Sequence, residues 1–201
     1  FFFSSRRRHT RLQGDWSSDG VLFRSRPQLF LINAADCGVP QRRERVFFCA
    51  LRDDISKPQL TIAPKHRWVS AGEATSDLQV LTESELFETA STDYEKKWWP
   101  LTKLGGSFYQ AQETAGEKGR SFNNQRLDGS KPSLTLSANC NVTYHWNECR
   151  RLTFREWKRL GSFPDDYEAK TDKIGKYMIG MSVPPKMTEV VARAVVDQWL
   201  A

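Results

Sequence analysis

Two short apolar runs, separated by a dense polar turn, constrain the fold of this chain most strongly. The first run covers Leu29 to Asn33, and the second covers Val46 to Leu51, which reads Val-Phe-Phe-Cys-Ala-Leu. Both runs have the length and the β-favouring composition of strands, and both are apolar at consecutive positions rather than at alternate ones. The pattern predicts two strands inside a sheet whose two faces are covered.

The polar turn between the runs carries a cluster of charged and amide side chains. It reads Cys37-Gly38-Val39-Pro40-Gln41-Arg42-Arg43-Glu44-Arg45. Glycine and proline at its start indicate a loop at a sheet edge. Two interpretations remain open from these residues alone. The cluster is either a solvated set of ion pairs at a strand start or a group of donors that faces a ligand. Taken without the rest of the sequence, the residues favour the solvated ion pairs.

Length and composition indicate a soluble globular chain and no membrane association. The 201 residues suffice for one domain, or for a fragment of a larger domain with a small appendage. No apolar run approaches the roughly 18 residues that cross a bilayer. The cysteines form no Cys-x-x-Cys pair and have no regularly spaced histidines, so we expect no metal site and a reduced, cytosolic chain. These cysteines are Cys37, Cys49, Cys140 and Cys149.

The net charge of +6 is concentrated in residues 1–26. This segment holds six arginines and two aspartates, which gives +4 and leaves +2 for the other 175 residues. Those residues therefore carry no electrostatic footprint of a nucleic-acid binder. Residues 1–26 lack helical or alternating periodicity, and the string resembles translated sequencing-adapter read-through. We interpret them as an artefactual leader or as a disordered basic arm.

Two capping boxes predict helices. Ser70 followed by Glu73 predicts a short helix that runs to about Leu78. Thr153 followed by Glu156 predicts a helix over 153–160, with Gly161 in the left-handed position after its end. The capping role already explains Glu156 without chemistry.

Two more helices are predicted, and the stretch 82–134 otherwise reads as polar and irregular. One helix runs through Tyr94 to Leu104 and ends at Gly105-Gly106, with Trp98 and Trp99 interpreted mainly as core residues. The other begins at Pro184-Pro185, where proline suits a first helical turn. Its residues expected to be buried are Met187, Val190, Val191, Ala194 and Val195.

Three segments, in order, resemble conserved motifs of the DNA (cytosine-5) methyltransferase family. Residues 33–47 are similar to its eighth motif, with the core Gln-Arg-Arg-x-Arg. Residues 151–156 and 162–167 resemble the ninth, and Ile179-Gly180-Met181-Ser182-Val183-Pro184-Pro185 resembles the tenth. The resemblance covers about residues 28–201 and implies a bacterial or phage enzyme of restriction-modification or phage protection, acting in the cytoplasm.

The resemblance implies an α/β fold: a partial Rossmann-like sheet edge with a small mixed α+β target-recognition domain. We assign 27–81 to the carboxy-terminal part of the catalytic domain, 82–150 to target recognition, and 151–201 to helices that return to the catalytic domain. In the family, strands of the amino-terminal half complete the sheet. Without them, the two predicted strands would expose apolar faces and an unpaired edge.

The resemblance also implies roles for individual residues. An enzyme that methylates a ring carbon extrudes the base and holds it by its polar edge, which suits the planar fork of arginine. Arg45 would contact the flipped cytosine, Arg43 would support it, and Gln41 would line the same pocket or the DNA backbone. The residues expected to contact duplex DNA are Arg42, Asn123, Asn124, Gln125 and Arg126.

Gly180 and Ser182 would border the methyl donor, S-adenosylmethionine. Met181 stands where the family commonly has asparagine, which removes one polar group from that region. The sequence contains no Pro-Cys, no Glu-Asn-Val and no glycine-rich loop after a strand. Cys37 lies where the family has a non-catalytic residue, so it is not expected to replace the nucleophile.

Three functions remain open. The first is the carboxy-terminal fragment of a methyltransferase that transfers methyl to carbon 5 of cytosine in duplex DNA. This fragment would be inactive without an amino-terminal catalytic half, its expected partner. The second is a non-enzymatic DNA-binding module, and the third is the recognition half of a split methyltransferase.

Overall fold

The computed structural model describes residues 25–78, 80–119 and 123–201. Most of the predicted leader, residues 1–24, lies outside the described residues. The strands and helices, in chain order, are β1 Ser25–Asn33, β2 Glu44–Arg52, α1 Ala71–Ala74, α2 Glu83–Thr89, α3 Asp93–Trp98, α4 Phe108–Thr114, β3 Gln125–Arg126, β4 Thr143–Tyr144, α5 Phe154–Leu160, α6 Asp172–Met181 and α7 Pro185–Val195. Short 3-10 turns cover Ala34–Cys37 and Cys140–Val142, and a π turn covers Val196–Leu200.

The first two strands form an antiparallel hairpin in which Phe30 lies opposite Phe47 and Ile32 lies opposite Arg45. Because side chains alternate along a strand, one set of apolar residues points inward and the other outward. Leu31 is 68% exposed, and its neighbours on that face are also exposed. The prediction of two covered faces is therefore wrong for these strands. The exposed apolar face expected from the resemblance is what the structure has.

The inner face of the hairpin packs against the end of the chain. Met187 and Val191 of α7 are buried against Ile32 and Phe47, and Trp199 closes the cluster. The predicted helix start at Pro184-Pro185 is confirmed, since Pro184 precedes the first helical residue. The carboxy-terminal helix thus returns to the first two strands.

A second core surrounds α5. Leu152, Trp157 and Leu160 are fully buried, and Ile179 of α6 packs against them. The capping box is confirmed: the Thr153 amide donates to Glu156 Oε2 at 2.7 Å, and the Glu156 amide donates to Thr153 Oγ1 at 3.1 Å.

The end of α5 differs from the prediction. Gly161 is right-handed, with φ of −84°, and Ser162 instead has φ of 57°. Ser162 Oγ accepts a hydrogen bond from the Lys186 amide in the first turn of α7 at 3.3 Å. Pro184 supplies no side-chain cap to that helix. The Ser162 hydroxyl therefore fills a capping role for α7 from a different segment, while it occupies a backbone region that serine rarely adopts.

The region 82–134 is more regular than predicted. Helices α2, α3 and α4 each begin at a complete capping box, at Thr82, Thr92 and Ser107. The predicted helix to Leu104 ends instead at Trp98, and Gly105 takes a left-handed φ of 75° in the following turn. A third core holds Trp98, Phe108 and Tyr144, which confirms Trp98 as a core residue.

Helix α1 is also shorter than predicted and ends at Ala74 rather than near Leu78. Ser70 accepts the Glu73 amide as expected, and the Glu73 carboxylate pairs with Arg67. Strands β3 and β4 form a small parallel pair, so the architecture is mixed α/β with two small sheets. No helix in the described ranges is long and apolar enough to span a membrane.

Candidate functional site

The polar turn before β2 is fixed to the segment that precedes the 3-10 turn at Cys140. Gln41 forms a parallel β-bridge with Ser133. The Arg42 amide donates to the Ser133 carbonyl at 2.8 Å, and the Ser133 amide donates to the Pro40 carbonyl at 2.9 Å. These bonds place the turn beside residues 133–137, about 90 positions later in the chain.

The Arg43 side chain is 2% exposed and connects two distant segments. Its Nη1 donates to the Leu136 carbonyl at 2.7 Å, and its Nη2 donates to the Gly180 carbonyl at 2.8 Å. Burial, with a smaller contribution from the charge of Arg45, lowers the pKa of Arg43 to about 10. The group stays protonated at neutral pH and keeps both carbonyls satisfied.

Gln41 is equally buried and completes the arrangement. Its Nε2 donates to the Leu160 carbonyl at the end of α5 at 3.3 Å, and its Oε1 accepts the Leu136 amide at 3.4 Å. We call Gln41, Arg43 and their three carbonyl partners the buried polar cluster. Through it, the segments that resemble the eighth, ninth and tenth motifs meet at one point.

Arg42 and Arg45 differ from Arg43 in their surroundings. Arg42 is exposed, while Arg45 is half-buried and donates to the Glu44 carbonyl at 2.7 Å. Burial lowers the pKa of Arg45. Since side chains alternate along a strand, Arg45 lies on the same face as Arg43, next to the buried polar cluster. Of the three arginines, Arg45 is therefore the one that adjoins the cluster and still reaches the surface.

The two residues expected to border the methyl donor have other partners. A Cβ on Gly180 would lie 2.5 Å from the Ser137 carbonyl oxygen, so the helix approaches that backbone too closely for any side chain. Ser182 caps the end of α6 and donates from Oγ to the Met178 carbonyl at 2.6 Å. Both residues serve the packing of α6.

Among the predicted base-reading residues, Arg126 is held within the chain. Arg126 donates to the Trp146 carbonyl from Nε at 3.0 Å and to the Thr102 carbonyl from Nη1 at 3.0 Å. Its guanidinium carbon lies 3.7 Å from the centre of the Trp99 ring. This placement does not support base contact by Arg126. Gln125 and Asn124 are half-buried, and Asn123, like Arg42, is exposed.

Sequence reasoning missed a buried ionic network at the start of α5. Arg150 donates to both carboxylate oxygens of Glu156, at 2.9 and 2.8 Å, and the Nε2 of His145 lies 3.8 Å from the same carboxylate. Burial and, to a smaller extent, the charge of Arg150 lower the pKa of His145 to about 4. The capping box located Glu156, but no sequence pattern signalled its partners.

The cysteines do not form a reactive site. Burial and the neighbouring Asp36 raise the pKa of Cys37 to about 11, and burial raises the pKa of Cys49. Cys140 is also buried, and Cys149 is half-buried. Within the described part of the chain, no group of three or more His, Cys, Asp or Glu side chains is arranged to hold a metal ion.

Comparison with known proteins gives a consistent result. Residues 26–197 match the family described as C-5 cytosine-specific DNA methylase. The Type II methyltransferase M.BbvI of Brevibacillus brevis is 32% identical over 182 residues, which cover 81% of this chain and 46% of that protein. The Type II methyltransferase M1.HphI of Haemophilus parahaemolyticus is 31% identical over 180 residues, with 82% and 46% covered. The chain spans about half the length of these curated relatives.

Solved structures share the fold. A candidate DNA modification methyltransferase encoded within an E. coli prophage superposes with a TM-score of 0.70 at 16% identity, covering 94% of this chain and 67% of that one. The Dnmt2 methyltransferase of S. pombe superposes with a TM-score of 0.57 at 12% identity, covering 86% and 57%. The mixed α/β fold is therefore that of the Rossmann-like methyltransferases.

Proposed function

Because the chain belongs to the C-5 cytosine-specific DNA methylase family, we propose that it forms the DNA-recognising part of a bacterial enzyme that methylates carbon 5 of cytosine in duplex DNA. Its relatives M.BbvI and M1.HphI are Type II methyltransferases. Restriction-modification is therefore the setting that we propose, and the cytoplasm, where the DNA lies, is the proposed place of action.

The observation that carries this proposal is the buried polar cluster. Gln41 and Arg43 bond to the carbonyls of Leu136, Leu160 and Gly180, which lie in three different segments. A residue that only formed solvated ion pairs at a strand start would not be 2% exposed and bound to distant backbone. The cluster supports an interpretation in which these segments act together and hold one site in a fixed geometry.

We propose that the arginines of the polar turn have different roles. Arg45 adjoins the cluster and reaches the surface, so we assign to it the contact with the extruded cytosine, where a guanidinium donates to the ring oxygen. Arg43 and Gln41 are positioning residues that hold the strand carrying Arg45. Asn123 remains a candidate for contact with base edges.

We propose that the nucleophile comes from polypeptide outside these 201 residues. Attack on the cytosine ring needs a thiolate, and the buried Cys37 and Cys49 have raised pKa values that disfavour one. The methyltransferase family uses S-adenosylmethionine as methyl donor. We propose that most of the site for this donor is likewise supplied by polypeptide outside these 201 residues.

The outer face of the hairpin supports the same proposal. Leu29, Leu31, Val46 and Phe48 are exposed together on adjacent strands. Contiguous exposed apolar surface of this kind is characteristic of an interface. We propose that it is covered by the amino-terminal part of the enzyme, whether on the same chain or on a separate one. The alternative of a free-standing DNA-binding module does not explain why these apolar side chains are exposed.

The test uses the purified 201-residue chain, labelled duplex DNA and radiolabelled S-adenosylmethionine. We expect duplex binding with sequence preference and no methyl transfer. Addition of a polypeptide that carries a Pro-Cys-Gln segment and the glycine-rich loop restores transfer. Methyl transfer by the chain alone would overturn the proposal of an external nucleophile. Folded chain that binds no duplex would overturn the recognition role.

The assignment of Arg45 has its own control. In the restored assembly, we expect Arg45→Ala to lower kcat by about 10²-fold, as loss of a preorganised donor does. Arg193→Ala removes an exposed arginine of α7 that pairs with Glu189, and it should leave kcat unchanged. Equal activity of both variants would remove Arg45 from the site.

A further inference from the structure

A groove of about 440 Å³ adjoins the polar turn at Arg42, which stands between Gln41 and Arg43 of the buried polar cluster. Its lining includes three cationic side chains, those of Arg42, Arg67 and Lys131. Trp68 and Glu73 also line it. All three cations lie on exposed side chains.

The walls of this groove are fixed to one another through the segment 129–133. On one side, the Ser133 carbonyl accepts the Arg42 amide at 2.8 Å. On the other, the Lys131 carbonyl accepts the Ala71 amide at 2.8 Å, and the Gly129 carbonyl accepts the Gly72 amide at 2.9 Å. Backbone hydrogen bonds therefore hold the groove open without a ligand, which lowers the entropic cost of binding one.

The charge of the groove favours an anion. Its three cations face one carboxylate in the lining, Glu73, which already pairs with Arg67 at 2.5 Å. Lys131 pairs with Asp128 at 2.9 Å, and the lysine side chain remains 66% exposed. In the described part of the chain, no carboxylate lies within ion-pair distance of Arg42. The lining keeps a net positive charge with at least one unpaired guanidinium.

Trp68 adds a flat apolar surface to this positive groove. Its indole Nε1 donates to Asp36 Oδ1 at 2.8 Å, which holds the ring in one orientation. The side chain nevertheless remains 50% exposed. The ring is therefore anchored by its polar edge, and its face lies beside the cations. This arrangement suits a ligand that combines a negative charge with a flat or apolar ring.

We propose that the groove binds the DNA backbone next to the methylated cytosine, with Arg42 and Lys131 on a phosphodiester and Trp68 against the adjoining sugar. This inference rests on the proposed function and extends it to a second contact with the same DNA. Under this proposal, residues outside the buried polar cluster make the contacts with the DNA backbone, and these contacts set the register of the duplex. Contacts of this kind carry no sequence information.

The test measures binding of the full chain to labelled duplex DNA at several salt concentrations. Arg42→Gln and Lys131→Gln should each reduce the slope of log Kd against log salt by about 1, equally for specific and unrelated duplexes. Trp68→Ala should raise Kd by about tenfold, and Trp68→Phe should restore most of the affinity. Thermal unfolding of each variant checks that the fold is intact.

The matched control is Arg193→Gln, which removes an exposed cation of α7 that does not line the groove and should leave the slope unchanged. If wild type binds duplex DNA and the groove variants behave like this control, the groove inference is overturned while the proposed function stands. If wild type binds no duplex, both fall. Inorganic phosphate could also raise the thermal unfolding temperature of wild type but not of Arg42→Gln. If Arg42→Gln at the same time leaves DNA binding unchanged, the groove binds a free anion instead of the DNA backbone.

Discussion

The hairpin of β1 and β2 and the core around α5 bury apolar residues in opposite ways. In the α5 core, Leu152, Trp157 and Leu160 are fully buried, and Glu156 beside them pairs with Arg150. In the hairpin, one face packs against α7, whereas Leu31 on the other face is 68% exposed. The chain itself covers the apolar residues of the first region, whereas the second leaves an apolar face exposed, which we propose is an interface.

This difference shows which parts of the chain contribute to its free energy of unfolding. Burial of apolar surface contributes about 25 cal/mol per Å², so only covered faces stabilise the fold. The α5 core holds the segments of the recognition region together, and the hairpin contributes mainly through its inner face. The outer face contributes less, because Leu31 is 68% exposed and Phe48 is 47% exposed.

Matched leucines give the largest expected difference between the two regions. Leu152→Ala should lower the free energy of unfolding by about 2–5 kcal/mol, because it opens a cavity in a fully buried site. Leu31→Ala removes the same atoms from an exposed site and should change it by less than about 0.5 kcal/mol. Urea unfolding followed by circular dichroism measures both. Equal losses would show that the outer face is covered in solution.

Acid should weaken the α5 core through His145. Its pKa is lowered to about 4 in the folded chain, so the unfolded chain binds more protons between pH 6.5 and 4. Stability is therefore full above the unfolded pKa and is lost as pH falls through this window, by about 3 kcal/mol. Unfolding at a series of pH values measures the slope. His145→Asn should flatten it, whereas the same change at exposed His66 should not.

Replacement of Arg43 tests the buried polar cluster. Arg43→Lys keeps the charge but reaches one carbonyl of two, so the free energy of unfolding should fall by about 2 kcal/mol. The adjacent, exposed Arg42→Lys serves as the control and should change it by less than about 0.5 kcal/mol. Chemical denaturation of both variants provides the measurement. A similar small loss at both positions would contradict the positioning role.

The smallest effect on stability is expected on the outer face of the hairpin. A double substitution, Leu31→Thr with Phe48→Thr, keeps β-favouring residues and removes exposed apolar surface. The free energy of unfolding should stay nearly constant, while self-association measured by light scattering decreases. The variant should also bind the amino-terminal polypeptide more weakly. Unchanged association in both assays would exclude this face as an interface.

Local signals in the sequence predicted some elements well. The Thr153–Glu156 capping box and the Pro184-Pro185 start were confirmed because the residues that fix a helix start lie within four positions of each other. The two apolar runs located both strands. Coverage of their faces was not predictable from the runs, because it depends on which distant segments pack against them.

The candidate site was predictable only in part. The Gln-Arg-Arg-x-Arg pattern indicated the important turn, yet Arg42, Arg43 and Arg45 have different surroundings that follow from strand alternation and from contacts more than 90 residues away. The ionic pair of Arg150 with Glu156 and the groove at Trp68 likewise join residues whose meeting depends on tertiary structure. Such contacts leave no periodic signal in the chain.

The hydroxyl of Ser162 has a consequence for the local stability of α7. It accepts the Lys186 amide at the first turn of α7, a helix whose preceding Pro184 offers no cap. The start of α7 therefore depends on an acceptor that lies in another segment of the chain. Ser162→Ala should open the first turn of α7 more often, by about 1 kcal/mol, and native-state hydrogen exchange at the Lys186 amide should become faster.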